Sequence, residues 1–185
     1  MNRSYIFVTF AFLSGACRTA PSPSGITPEQ AADFVHTVLE ANRAVYAEEV
    51  VHRLQDVEHV VRADEKFREE KALPLPSQMF RLAAKRVGER AAFRFALISP
   101  WAINKANMPA TEFERRGMDT VANTPDAPHR AYQTVNGKRY FTALYADRAV
   151  SQACVRCHNE HAESPRKDFK LGDIMGGVVV SLPLE

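Results

Sequence analysis

Cysteine, net charge and long apolar runs are all scarce in this sequence. Only three cysteines occur in 185 residues, the formal net charge is +2, and the basic residues are interleaved with acidic ones. No apolar run is long enough to span a bilayer, and nothing indicates a nucleic-acid-binding or polybasic membrane surface. Without internal repeats or low-complexity segments, the chain is expected to form one domain with its own core.

Two of the three cysteines stand in one short motif, Cys154-Val155-Arg156-Cys157-His158. C-x-x-C-H is the attachment sequence of a c-type haem. Two thiols on one helical turn can each add to a vinyl group of one porphyrin, and the imidazole that follows binds the iron as proximal ligand. The motif therefore predicts one covalently bound haem c, held by Cys154 and Cys157, with His158 as the metal ligand.

Two other chemistries use related patterns and remain alternatives. A C-x-x-C pair is also a redox disulfide motif, although that motif normally opens a helix after a strand in a βαβ unit, and no such unit is evident here. His161 extends the pattern to C-x-x-C-H-x-x-H, which contains four potential zinc ligands. Consecutive residues such as Cys157 and His158 point in different directions, which disfavours one shared tetrahedral ion.

The N-terminal residues have the three-part layout of a secretory signal. Arg3 precedes an apolar run over residues 5–13, and the small residues 14–16 follow it. Because covalent haem attachment in bacteria takes place outside the cytoplasm, this signal and the C-x-x-C-H motif point to the same compartment. We therefore predict a signal peptide over residues 1–16 and a periplasmic or otherwise extracytoplasmic mature protein.

The remaining cysteine, Cys17, follows the sequence LSGA, which resembles a bacterial lipoprotein box. Ser14 stands where such boxes usually have a branched aliphatic residue, and ordinary cleavage after Ala16 fits as well. A lipidated Cys17 would anchor the protein to a membrane without spanning it, with residues 17–27 as a tether. With Cys17 assigned to processing and the other two cysteines to haem, none is left for a structural disulfide.

Helical periodicity dominates the first half of the mature chain. Thr27 and Pro28 form a helix start, and apolar residues then recur at helical spacing with no further Pro or Gly until Pro74. This pattern predicts one long amphipathic helix, or two end to end, over residues 28–70. A second helix is predicted over residues 77–89.

After that second helix the period changes from helical to alternating. A strand is predicted over residues 93–97, and a short helix around 111–121. Asn136-Gly137 is the strongest hairpin signal in the chain, and residues 176–182 form a last strand. The prediction is an α+β protein with helices first, then an antiparallel sheet into which the short helix of the haem motif is inserted.

Several short sequences are informative in combination: LPLP at residues 73–76, ISPW at 98–101, NKAN at 104–107, FE at 113–114, ACVRCHN at 153–159, SP at 164–165 and LGDIMG at 171–176. Together they resemble the Tll0287-like domain family over nearly the whole mature chain. The resemblance implies a PAS-like α+β domain over residues 28–185 that binds one c-type haem. Such domains occur alone in exported proteins or as the sensory part of bacterial signalling proteins, and no catalytic activity is established for them.

The resemblance does not supply the second axial ligand. A cyanobacterial member uses a cysteine of the N-terminal helix, and Tyr46 occupies the closest local register here, but this chain has no cysteine between Cys17 and Cys154. Tyr46 lies at the centre of the predicted apolar stripe of the first helix, so we predict that it contacts the distal side of the haem. A core tyrosine with a hydrogen-bonded hydroxyl is the alternative.

The distal position has further candidates, including a vacant or water-filled site. They are His36, His52, His59, Met79, Met108, Met118, His129, His161 and Met175. Arg156 and His161, beside the motif, are candidates to pair with the haem propionates, with a solvated surface as the alternative.

These features favour an exported haem-binding protein that acts as a redox- or gas-responsive sensor through a separate signalling or redox partner. A monohaem electron-transfer cytochrome is the alternative. Fixed six-coordination and an exposed haem edge would favour the carrier, and a labile sixth ligand would favour the sensor. An enzyme is not expected, because a peroxidase-like site needs a positioned acid-base residue that the sequence does not indicate.

Overall fold

A computed structural model describes residues 25–184. The predicted signal peptide over residues 1–16, the lipidation candidate Cys17 and most of the predicted tether lie outside the described residues. Within residues 25–184, no helix is both long and apolar enough to cross a membrane.

The first helix, α1 (Pro28–Val45), begins where the sequence predicts. The Thr27 hydroxyl accepts a hydrogen bond from the backbone N of Gln30 at 3.2 Å, and the Gln30 side chain accepts one from the backbone N of Thr27 at 3.0 Å. This capping box satisfies backbone donors that a helix start leaves unpaired. A π-helical segment (Tyr46–Val57) continues α1 with wider turns.

The helical stretch ends at Val57, so the prediction of helix as far as residue 70 is wrong. His59 has a φ of 54°, which a right-handed helix does not accept. Further on, the Asp64 carboxylate accepts a hydrogen bond from the backbone N of Lys66 at 2.8 Å. Such local side-chain bonds compete with helical ones, so residues 58–75 form turns instead.

The remaining elements follow in the predicted order. They are α2 (Pro76–Arg90), β1 (Arg94–Ile98), a 3-10 turn (Lys105–Asn107), α3 (Glu112–Asn123), β2 (His129–Val135), β3 (Lys138–Arg148), α4 (Gln152–Glu160) and β4 (Ile174–Pro183). The strands form one antiparallel sheet in the order β1-β4-β3-β2. The fold is therefore α+β as predicted, with α4 inserted before the last strand, an arrangement that fits the PAS-like expectation.

The predicted hairpin joins β2 to β3. Asn136 and Gly137 have φ values of 51° and 75°, as expected for a two-residue turn that needs positive φ at both positions. This turn fixes the register in which Val135 faces Lys138.

The sheet is packed on both faces because its strands alternate. Along β3, Phe141, Ala143 and Tyr145 pack with Phe80 of α2 in one buried cluster. Leu144 points to the other face, in the cluster that includes Met118 and Val121 of α3. Gly117 allows α3 to approach closely, since a Cβ there would lie 2.7 Å from Cδ1 of Leu144.

The regular pairing of β3 and β4 is interrupted at one end. Asp147 faces Gly176 but Arg148 faces Ile174, so Met175 is the extra residue of a β-bulge. The Met175 carbonyl accepts a hydrogen bond from the Ser99 hydroxyl at 2.6 Å. The bulge therefore marks the end of the sheet next to α4.

Candidate functional site

The cysteine motif lies on the short helix α4, as predicted. Ser151 precedes the helix with extended backbone (φ −143°), and its hydroxyl accepts a hydrogen bond from the backbone N of Ala153 at 3.2 Å. Cys154 and Cys157 are three residues apart on this helix, so they share one face. Both thiols are free, and His158 follows them.

A cavity of about 840 Å³ adjoins α4. Cys154, Cys157 and His158 all line it, so the three motif residues meet at one site. The other walls come from α1, the π-helical segment, the start of α2, the end of β1 and the residues that follow β1. The volume lies within the range of about 300–1,000 Å³ that is usual for ligand and cofactor sites.

The imidazole of His158 is suited to metal binding. Burial lowers its pKa, and the charges of His161 and Arg43 lower it further. The neutral ring is the form that binds a metal ion. Among the described residues, Nδ1 of His158 is buried without a hydrogen-bond partner, which is unfavourable unless another group interacts with the ring. Two thiols and a neutral imidazole on one cavity fit the attachment of a haem c.

A cluster of aromatic side chains packs against His158 of α4. The rings of His158 and Phe169 meet edge to face with centroids 5.7 Å apart, and Trp101 meets Phe169 in the same way at 5.7 Å. The Arg166 guanidinium lies 4.3 Å from the centroid of Phe169 and 5.0 Å from that of Trp101. These contacts restrict the orientation of the His158 ring.

The backbone of the loop that contains Phe169 is also hydrogen-bonded to α4. The Asn159 side chain donates to the carbonyl of Phe169 and accepts from its backbone N, both at 3.0 Å. Phe169 is 3% exposed, so the paired amide satisfies backbone groups that would otherwise be buried unpaired. The proximal side of the site is therefore fixed by short-range contacts.

A buried ion pair lines the cavity behind Cys154. The Arg43 guanidinium contacts the Asp147 carboxylate and donates to the Arg148 carbonyl at 2.9 Å. Burial alone would lower the pKa of Arg43, but Asp147 and the Cys154 sulfur raise it. Burial raises the pKa of Asp147, and the guanidinium opposes that shift. Arginine stays protonated in proteins, and its contact with Asp147 joins α1 to the end of β3.

Sequence reasoning missed this pair, although one signal was present. Arg43 lies four residues after Leu39, which packs against the core, so its charge falls on the buried side of α1. A charge at such a position needs a buried partner. The sequence pattern does not identify that partner as Asp147, because the two residues are 104 positions apart.

A second charged group joins α4 to the π-helical segment. Arg156, between the two cysteines, forms an ion pair with Asp56, which also contacts Nδ1 of His52 at 2.9 Å and the side chain of Gln55 at 2.9 Å. Burial would raise the pKa of Asp56, but these hydrogen bonds, that of Arg156 first, lower it to about 2. Asp56 was not among the predicted site residues.

The structure places Tyr46 outside the lining of this cavity. Its half-buried hydroxyl donates to the carbonyl of Pro74 at 2.7 Å, and burial raises its pKa. Tyr46 is the first residue of the π-helical segment, where the wider turns change which side chains share a face. The expected contact of Tyr46 with the distal side of a haem therefore stays a prediction.

The other distal candidates have varied positions. All the distal candidates named from the sequence lie within the described residues. Among them, Met175 is the one that lines the cavity. It is buried with Phe169 and Ala149, on the side of α4. His52 contacts Asp56, His36 stacks on Tyr145 with centroids 4.0 Å apart, and His59 is exposed. Met118 belongs to the core beside α3.

The propionate candidates Arg156 and His161 both have acidic neighbours. Arg156 pairs with Asp56, and Nε2 of His161 lies 3.6 Å from a Glu65 carboxylate oxygen. Over residues 25–184, no group of three or more His, Cys, Asp or Glu side chains is arranged to hold a metal ion. The C-x-x-C-H-x-x-H residues thus present no preformed zinc site in this part of the chain.

Comparison with known proteins gives one family and one solved structure. The Tll0287-like family, described as Tll0287, matches residues 27–183. The crystal structure of the cyanobacterial heme-protein Tll0287 is similar in fold, with a TM-score of 0.52 and 12% sequence identity over 85% of this chain and 96% of that one. A search of the curated proteins finds no match.

Proposed function

The chain belongs to the Tll0287-like family, and from this premise we propose that it is an exported protein that binds one haem c covalently and senses redox state or a small gaseous ligand. One observation carries the proposal: Cys154, Cys157 and His158 line a single cavity of about 840 Å³. The solved relative of similar fold is itself described as a heme-protein.

The residues of the cavity have distinct parts in this proposal. Cys154 and Cys157 would hold the porphyrin through thioether bonds, and the His158 imidazole would bind the iron. Bound haem would supply a redox-active metal that can exchange a ligand. Phe169 keeps the imidazole oriented, and the buried pair of Arg43 and Asp147 fixes the wall behind Cys154.

The sensing part of the proposal depends on the contact between Arg156 and Asp56. Arg156 lies inside the attachment motif, so a displacement of α4 that accompanies a change in iron ligation would alter its ion pair with Asp56. Asp56 belongs to the π-helical segment that continues α1. The altered helix would then be recognised by a separate partner protein.

The location of the protein is part of the same proposal. Residues 1–16 direct export, and Cys17, as the first residue of the mature chain, either carries a lipid anchor or follows ordinary cleavage after Ala16 without a lipid. Membrane contact is proposed through that anchor alone. We propose neither nucleic-acid binding nor a catalytic activity.

A monohaem electron carrier is the second candidate, and one observation favours it. Arg156 and Cys157 are both exposed, although they belong to the attachment motif. This exposure would leave an edge of the haem near the surface, where an electron-transfer partner can approach. The two candidates differ in whether the iron accepts an external ligand.

Optical spectra test the proposal. The full chain, with its own N-terminal residues, is expressed with a bacterial haem-attachment system, and ferric and ferrous spectra are recorded with and without imidazole or carbon monoxide. If the protein is a sensor, imidazole or carbon monoxide should change the spectrum. A six-coordinate spectrum that neither ligand changes would contradict the sensor hypothesis and support the electron-carrier hypothesis. A purified protein without haem would overturn both.

A further inference from the structure

Five cationic side chains line the cavity, and they divide into two groups. Arg43 and Arg156 form ion pairs with the carboxylates of Asp147 and Asp56. In the described part of the chain, the other three form no ion pair; they are Lys66, Arg81 and Lys105. We call these three the cationic rim. Arg81 lies on α2, Lys105 begins the 3-10 turn, and all three are exposed residues that line the cavity.

The charge of the cavity lining is unbalanced. Five cationic and three acidic side chains line it, and the acidic ones are Glu65, Asp147 and Glu163. Asp147 is paired with Arg43, and Glu65 lies 3.6 Å from His161. When Asp56, the ion-pair partner of Arg156, is included, five cations stand against four carboxylates, so the protein groups at the cavity carry an excess positive charge that suits an anionic ligand.

The attachment chemistry determines where those carboxylates point. The vinyl groups and the propionates lie on opposite halves of the porphyrin. Once Cys154 and Cys157 hold the vinyl half against α4, the propionates point away from α4. The walls away from α4 include α2, with Arg81, and the turn that contains Lys105.

We propose that Arg81 and Lys105 of the cationic rim bind the two haem propionates and so fix the in-plane orientation of the haem and raise its reduction potential. This inference rests on the proposed haem-binding function. It replaces Arg156 and His161 as propionate partners, since both already contact carboxylates of the chain. A guanidinium or ammonium group next to a propionate forms a charge-assisted hydrogen bond and offsets the negative charge that favours ferric iron.

Charge-removing variants of the holoprotein test the proposal. Lys66→Gln, Arg81→Gln and Lys105→Gln, and the double variant of the last two, are compared with wild type by redox titration. Arg81→Gln and Lys105→Gln should each shift the one-electron equilibrium towards ferric iron by about threefold to tenfold, where tenfold corresponds to about 59 mV. Lys66 follows Glu65 beside the end of α4, so Lys66→Gln should have a smaller effect. Arg86→Gln, on the exposed side of α2 and outside the cavity lining, is the matched control and should leave the potential unchanged.

The pH dependence separates propionate binding from a general structural effect. Without the cation, a propionate protonates at a higher pH, so the difference between variant and wild type should shrink as the pH falls. Arg81→Lys and Lys105→Arg keep the charge and should restore the wild-type potential. Because the three rim residues lie in different elements, misfolding of one variant leaves the others informative.

Two results would contradict the proposal in distinguishable ways. If all single variants and the double variant carry haem and have the wild-type reduction potential, propionate binding by the cationic rim is contradicted. The proposed haem-binding function would still stand. A wild-type protein that carries no haem would overturn the proposed function first, and the inference with it.

Discussion

Two walls of the cavity, the α4 wall and the wall from α1 and the π-helical segment, differ in how the sequence encodes them. The α4 wall has its three key groups, Cys154, Cys157 and His158, within five consecutive residues. The wall from α1 and the π-helical segment contacts α4 and β3 through charge pairs that are 104 and 100 residues apart in sequence, Arg43 with Asp147 and Asp56 with Arg156. In the proposed function the first wall would bind the haem, and the second would hold the first in position. Substitutions in the α4 wall should therefore affect haem binding, and substitutions in the other wall should mainly affect stability.

The largest effect is expected from the thiols of the α4 wall. Cys154→Ala combined with Cys157→Ala removes both sulfur atoms that can form thioether bonds, so the protein should contain no covalently bound haem. The measurement is haem staining after denaturing electrophoresis. Cys17→Ser is the matched control and should keep the stain, and haem retained by the double variant would show attachment at another position.

His158→Ala should separate attachment from ligation. Both thiols remain, so covalent haem should persist, but loss of the proximal imidazole should change the spin state of the ferric iron. Absorption and electron paramagnetic resonance spectra measure this change. His161→Ala, on the neighbouring turn, is the control with an expected wild-type spectrum. An unchanged spectrum for His158→Ala would exclude this residue as the iron ligand.

On the wall from α1 and the π-helical segment, Arg43→Met should mainly reduce the free energy of unfolding. It leaves the Asp147 carboxylate buried without its cation, and loss of one partner of a buried pair typically costs about 3–5 kcal/mol. Chemical denaturation measures the free energy of unfolding. Adding Asp147→Leu should recover part of the loss, because the unpaired charge is then absent. A loss below about 1 kcal/mol for the single variant would mean that the pair is not desolvated as described.

Asp56→Asn should give a smaller, pH-dependent loss. The pKa of Asp56 is about 2 in the folded protein against an ordinary value of 3.8, so the ionised carboxylate stabilises the fold above the ordinary value. That contribution, about 1–2 kcal/mol after solvent screening of the exposed Arg156, should disappear as the pH falls towards 2. Unfolding curves of both proteins from neutral to acid pH test this, and a pH-independent difference would contradict it.

The smallest effect is expected from Tyr46→Phe. The hydroxyl donates to the Pro74 carbonyl, so its removal should lower the free energy of unfolding by about 1 kcal/mol. From this geometry we expect an unchanged haem spectrum and unchanged imidazole affinity. A changed ferric spectrum would instead support the contact with the distal side that the sequence predicts. His52→Ala is the comparison variant.

The sequence predicted the elements whose signals are local. The capped start of α1, the Asn136-Gly137 hairpin and the helix with the cysteines were all recognisable from adjacent residues. The end of the first helical stretch at Val57 was not, because apolar spacing continues beyond it and the left-handed His59 has no sequence signature.

The charged positioning groups could be predicted only in part. Arg43 is recognisable as a charge on the buried side of a helix, but its partner depends on how β3 packs against α1. The separation of Tyr46 from the cavity depends likewise on the wide turns of the π-helical segment, which apolar periodicity does not reveal. Long-range packing determines both.

Covalent binding of haem by the α4 wall is tested most directly by acid-acetone extraction of the denatured wild-type protein, purified after expression with a haem-attachment system. The haem absorbance should stay with the polypeptide, which contains Cys154 and Cys157. Haem that passes quantitatively into the organic phase would contradict it.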